Sequence, residues 1–166
     1  MITETNIKHI TTKARDIRIS IIEMLARAKS GHPGGPLGLA DIYAVLYFHS
    51  MNHNPKEPFM SDRDRLVISN GHTCPVLYAA MAHAGYFSVD TLMQLRQFGS
   101  VLQGHPHREF LPSLETSSGP LGSGLSQAVG MAIADKRDHG SLYPRYIYCM
   151  LSDGELDEGQ SWEAAL

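Results

Sequence analysis

No apolar run in this sequence reaches the roughly 20 residues of a membrane-spanning helix, and no cluster of Lys and Arg is long enough to track a phosphate backbone. Neither a membrane nor a nucleic acid is therefore expected as a partner. The opening segment, MITETNIKHITTKARDIR, is polar and mixed in charge and lacks the apolar core of a signal peptide, so a cytoplasmic protein is expected. Cysteine is scarce. Cys74 and Cys149 are the only two and form no CxxC pair, which argues against a disulfide framework and leaves them as reduced packing residues. Neither sign of charge dominates, with 14 basic and 17 acidic side chains.

What is present is the composition of an ordinary globular domain, 43% hydrophobic and 19% charged. A chain of this length can bury roughly 70% of the surface its unfolded form exposes. One compact unit follows, with no internal repeat and no low-complexity segment.

Ile17, Ile21, Met24, Leu25 and Ala28 recur at helical spacing, and Gly31 is placed to take a left-handed cap. The stretch LGLADIYAVLYFHSM from Leu37 is apolar on nearly every face, so it reads as a helix buried on most sides, inside the domain or against a second subunit. DRLVIS at 64 to 69 reads as a strand leading into Asn70-Gly71-His72, with Pro75 in the first turn of a following helix. The pattern returns where a strand over Tyr146 to Leu151 runs into Asp153-Gly154. Between the two, Leu125, Val129, Ala132 and Ile133 share one helical face. Helices alternating with fully buried strands imply an α/β domain, a mainly parallel sheet flanked by helices. Phe98 to Leu121, broken by Gly99, Gly104, Pro106 and Pro112, is a long loop, and such loops are more often functional than structureless.

Chemistry-bearing residues cluster beside glycine. SGHPGGP (30 to 36), SNGH (69 to 72), QGHP (103 to 106) and SGPLGSG (118 to 124) punctuate the chain, and ligands of parallel sheets bind outside the carboxyl ends of the strands. His72 and Asp153 should meet on that edge. Gly119, Gly122 and Gly124 allow close backbone approach and free N–H groups that suit a phosphate, although a tight turn before a helix has the same appearance. Asp153 offers one carboxylate at a strand end, which suits magnesium completed by phosphate oxygens and water, or equally a solvated aspartate capping the next helix. His32, His72 and His105 share a Gly-His context and, if gathered in one pocket, could bind a polyhydroxylated substrate and move protons near neutral pH. A transition-metal hydrolase built on these histidines lacks HExxH or any compact ligand pair.

In order along the chain, SGHPGGPLGLADI, DRLVISNGH, QGHP, TSSGPLGSGLSQAVGMAIA and SDGELDEGQSWEAAL closely resemble the N-terminal, diphosphate-binding half of transketolase, from about Ala14 to Leu166. The resemblance implies that residues 1–166 are the N-terminal part of an incomplete diphosphate-binding domain, with the pyrimidine-binding and C-terminal domains absent. It implies thiamine diphosphate and Mg as cofactors and the transfer of a two-carbon ketol unit from a ketose phosphate to an aldose phosphate. By that likeness Asp153 ligates the metal, and His72, Gly119, Pro120, Leu121, Gly154 and Glu155 lie along the cofactor. His32 and His105 would be the catalytic pair facing the reacting end of the sugar. Glu158 and Glu163 match carboxylates at the family's subunit contact, or serve as acids of a helix's first turn.

The sequence departs from the family pattern at Ser152, where glycine is usual, and at Ser123, where glutamine is common. The family's second metal ligand, an asparagine, lies further downstream than Leu166, and the glutamate that activates the cofactor belongs to a pyrimidine domain. The resemblance therefore implies a partner, either that domain or a C-terminal subunit, with the complete enzyme a homodimer. A truncated gene or partial reading frame is expected rather than a dedicated subunit. A deoxyxylulose phosphate synthase, a dihydroxyacetone synthase and a non-catalytic module of the same fold stand as alternatives.

Overall fold

The structure, a computed structural model, describes residues 3–140 and 145–166. Helix α1 (Glu4–Ala28) begins at Thr3, whose hydroxyl accepts from the Asn6 amide at 3.2 Å, and closes with Arg27 in its last turn. Ile10, Ala14, Ile17, Ile21 and Met24 fall three or four residues apart on its buried stripe, as the periodicity requires. The left-handed residue that ends it is Lys29 (φ 52°), not Gly31. Gly31 serves a different purpose, because the chain doubles back there so closely that a Cβ would sit 2.4 Å from Leu25 Cδ2.

Helix α2 (Gly34–Val45) starts three residues before Leu37 and loosens into a π-helical turn over Leu46–Ser50. It buries Pro36, Ala40, Tyr43 and Ala44, while Ile42 and Val45 are 47% and 39% exposed, so this helix is covered on one side rather than on most. Strand β1 (Arg65–Ile68) passes through a short turn at Gly71–Thr73 into α3 (Cys74–Ala84), with Pro75 in the first turn and Gly85 in the left-handed cap. A 3₁₀ segment at Val89–Gln94 opens the long loop, which runs without further helix or strand to α4 (Ser123–His139). Strand β2 (Ile147–Met150), a turn at Asp153–Asp157 and α5 (Gly159–Ala165) complete the order.

The two strands pair in parallel, Arg65 opposite Ile147 through Ile68 opposite Met150, so both carboxyl ends open on the same edge. The core lies on the α1–α3 side, where α1, α2 and α3 pack together and Leu66 and Ile68 of β1 are buried among them. Strand β2 is half-buried along its length, which corrects the expectation of two fully buried strands. Helix α4 departs from its expected face as well. Small residues, Gly124 and Ala128, make its buried contact, whereas Ile133 is 64% exposed because nothing among the described residues covers that stripe. Burial pushes the Cys74 thiol up to about 12 and that of Cys149 to about 11, so both are inert at neutral pH.

Polar ties hold the sheet's other end. The Asp64 carboxylate accepts from the Asn52 and Tyr146 amides, each at 2.8 Å. Arg63 and Arg65 both pair with Glu115, and Arg63 and Glu115 are each only 8% exposed. Glu115→Ala leaves the Arg63 guanidinium buried beside no carboxylate, and should lower the unfolding free energy in urea by about 3–5 kcal/mol. A loss under about 1 kcal/mol, the scale of a surface pair, would refute that role.

Candidate active site at the carboxyl edge of the sheet

Three backbone approaches assemble this edge. A Cβ on Gly35 would lie 2.8 Å from Thr73 Cγ2, so the start of α2 rests directly on the Gly71–Thr73 turn. That contact brings His32 to His72, whose ring centroids are 5.2 Å apart and nearly edge to face. Gly71 in turn meets Ser118 and Gly119, where an added Cβ would be 3.0 Å from the Ser118 carbonyl carbon and 3.1 Å from the Gly119 nitrogen. The third histidine arrives on the long loop. Tyr78 donates its hydroxyl to the Gln103 carbonyl at 2.9 Å and Cys74 its thiol to that of Gly104 at 3.2 Å, pinning the loop to the start of α3. His105 then faces the glycine turn, 4.0 Å from where a Gly119 Cβ would stand.

His105 feels the other groups. Its pKa is lowered, first by partial enclosure among the loops, although the residue reaches solvent, then by the Arg96 guanidinium and the imidazoles of His32 and His72. Two buried polar atoms at the same edge, Asn70 Oδ1 and Ser118 Oγ, have no hydrogen-bond partner among the described residues. Buried polar atoms are normally satisfied, so this pair fits a site that takes a polar ligand.

Asp153 and Gly154 sit exposed at the end of β2, and the exposed Leu121 lies on the neighbouring turn. Among the described residues no group of three or more His, Cys, Asp or Glu side chains is gathered to hold a metal ion. Asp153 offers a single carboxylate, and a transition-metal site finds no ligand set there. A cleft of about 810 Å³ lined by residues including Arg108, Glu115, Gln127 and Met131 contains none of the three histidines.

Glu155 lies on the turn that follows β2. Its side chain is fully buried and turned into the protein, where it accepts from Ser69 Oγ (2.5 Å), Gly122 N (2.8 Å), Ser152 N (2.7 Å) and Ser152 Oγ (3.0 Å). The Ser69 hydroxyl also accepts from Gly124 N at 3.1 Å, so one carboxylate ties the ends of both strands to the start of α4. Burial pushes this carboxyl up, but the bonds from Ser69, Gly122 and Ser152 together outweigh it and hold it below its ordinary value. The local half of this node is legible in the Ser152-x-x-Glu155 spacing of a capping box; the Ser69 and Gly122 half carries no sequence signal.

With this geometry in view, comparison with known proteins is decisive. Residues 10–166 match the family described as transketolase, thiamine diphosphate binding domain. The chain belongs to the transketolase family. It is 42% identical over 159 residues to transketolase 1 of Vibrio cholerae, covering 91% of this chain and 24% of that one. The transketolase of Leishmania mexicana superposes with a TM-score of 0.87 at 41% identity, over 93% of this chain and 24% of that one. A Pichia stipitis transketolase solved as a complex with sedoheptulose-7-phosphate superposes with a TM-score of 0.87 at 38% identity, over 94% and 24%. The chain spans about a quarter of the length of the curated relatives it matches.

Glu155→Gln leaves one acceptor oxygen for donors that now use two, and should destabilise this transketolase-family chain by about 1–3 kcal/mol at pH 7. Because the folded carboxyl titrates below its unfolded value, the ionised state's contribution is complete above about pH 4.3 and lost as the pH falls through the depressed value. The stability gap between the native chain and the variant should narrow in that window; a gap in urea unchanged between about pH 7 and pH 3 would count against the node.

Proposed function

We propose that this chain supplies the diphosphate- and metal-binding half of a transketolase site, which moves a two-carbon ketol unit from a ketose phosphate to an aldose phosphate. The observation that carries this reading is the meeting of His32, His72 and His105 at the Ser118–Gly119 turn, on the edge where β2 delivers Asp153. Sugar phosphates as substrates are consistent with the ligand named for the Pichia stipitis relative.

In this reading His72 and the Gly119-Pro120-Leu121 turn hold the diphosphate of thiamine diphosphate, with Gly154 alongside. Asp153 gives Mg one carboxylate, the number that magnesium takes when phosphate oxygens and water fill its other positions. Glu155 acts one step back, fixing the turn that Gly122 closes and the strand end that carries Asp153. Thiamine diphosphate, when bound, supplies the nucleophile and the electron sink. The chain's own residues orient the sugar and move its protons. His32 and His105 bind its hydroxyls, and the lowered pKa of His105 leaves that imidazole neutral at pH 7, able to accept a proton from a hydroxyl and return it.

A pyrimidine-binding domain or C-terminal subunit completes the site, and residues 1–166 act as the N-terminal part of a diphosphate-binding domain within a homodimeric, cytoplasmic enzyme. No helix of the described residues is long and apolar enough to cross a membrane. The test is calorimetric titration of thiamine diphosphate with Mg into the chain, alone and with a pyrimidine-domain partner, followed by turnover of a ketose phosphate and an aldose phosphate. Binding should tighten with the partner, and Asp153→Asn should weaken the Mg-dependent part by about tenfold or more. Absence of binding with the partner present overturns the reading.

A further inference from the structure

Arg96 lies between the two loops that present His32 and His105. Its guanidinium donates to Ser30 Oγ at 2.5 Å, across 66 positions of sequence. On the other side it fills the space above Gly104, where an added Cβ would stand 2.8 Å from Arg96 Nε and 3.1 Å from Cζ. A Cβ on Gly31 would lie 3.9 Å from the same Nε. One side chain therefore bonds to Ser30 and lies against Gly104, in the two loops that carry His32 and His105.

The backbone shows the same constraint. Arg96 and Lys29 are the only non-glycine residues of positive φ among the described residues, at 60° and 52°. The φ of Lys29 is accounted for by its place as the left-handed cap of α1, one residue before Ser30, which leaves Arg96 as the conformation set by the loops. Such conformations persist in L residues where the surroundings over-determine them, and they concentrate at functional sites. Arg96 is held by its own amide, which donates to the Leu102 carbonyl at 3.0 Å across the base of the loop carrying Gly104 and His105. No carboxylate pairs with its guanidinium among the described residues.

We propose that Arg96 is a positioning residue, a clamp that spans the Ser30–His32 and Gly104–His105 loops and sets how the two imidazoles face each other. Its planar fork suits that role better than an ammonium would, because it reaches Ser30 while stacking its flat body over Gly104. The charge has a second consequence. The groups acting on His105 are Arg96, His32 and His72, and an unpaired guanidinium among them disfavours protonation of that imidazole. Lowering of the His105 pKa thus accompanies the clamp.

The proposal depends on the transketolase reading only for what the two imidazoles then do; the clamp itself is tested in the cofactor-free chain, so either can fail alone. Proton NMR titration of the imidazoles, with amide shifts of Ser30, Gly31, His32 and His105, is read in Arg96→Gln and Arg96→Lys. Arg96→Gln should raise the His105 midpoint and displace amide signals in both loops. Arg96→Lys should restore the midpoint and leave the displacement, since it keeps the cation and loses the fork. A folded Arg96→Gln with an unmoved His105 midpoint and unmoved His32 signals overturns the proposal. Should Arg96→Gln lose its helical circular dichroism, Ser30→Ala on the exposed loop decides: displacement of the distant Gly104 and His105 signals supports the clamp, and their coincidence with the native spectrum overturns it.

Discussion

The buried Glu155 carboxylate is the constraint on which the rest of the site depends. A charge without exposure normally demands a cation, because desolvation alone costs several kcal/mol. Here four hydrogen bonds take the cation's place, two of them from backbone amides that would be orphaned at the starts of a turn and a helix. The donors come from the ends of β1 and β2 and from the Gly122 turn, so satisfying the carboxylate and closing the edge of the sheet are one event.

The histidines are placed by a different means, the close approach of backbones. Gly35 on Thr73, Gly71 on Ser118–Gly119 and Gly104 on Arg96 are contacts that a methyl group would obstruct. The first joins two Gly-His segments, the second sets the His72 turn against Ser118–Gly119, and the third seats the His105 loop on Arg96. The glycines that flank these histidines thus act at a distance, by letting separate loops touch. Gly31 follows the same logic, since it lets the chain fold over Leu25 immediately before His32.

Much of this was legible in the sequence, and the failures have physical causes. The stripe of α1, both strands, the Gly71 turn and Pro75 in the first turn of α3 were readable because each rests on a local rule of spacing or backbone conformation. Gly31 misled because positive φ serves two purposes, capping and doubling back, and only the path of the chain separates them. The outer stripe of α4 misled because periodicity marks a face without saying what covers it. The buried hydrogen-bond node of Glu155 is hidden from the sequence because two of its partners, Ser69 and Gly122, lie 86 and 33 positions away. Arg96 was invisible for the same reason: its partner is found only once two loops are folded together.

Charge at this edge is divided. Asp153, the first residue of the turn after β2, is exposed, while Glu155 spends its charge inside the protein. The histidine loops carry three imidazoles and the Arg96 guanidinium, which pairs with no carboxylate among the described residues. An acid placed beside His105 would raise its pKa and favour the imidazolium; a guanidinium favours the neutral ring, which can both donate and accept. Hydroxyl recognition and proton movement at neutral pH need that amphoteric form. The fold keeps it by holding its buried anion beneath the Gly122 turn and its cation beside the histidines.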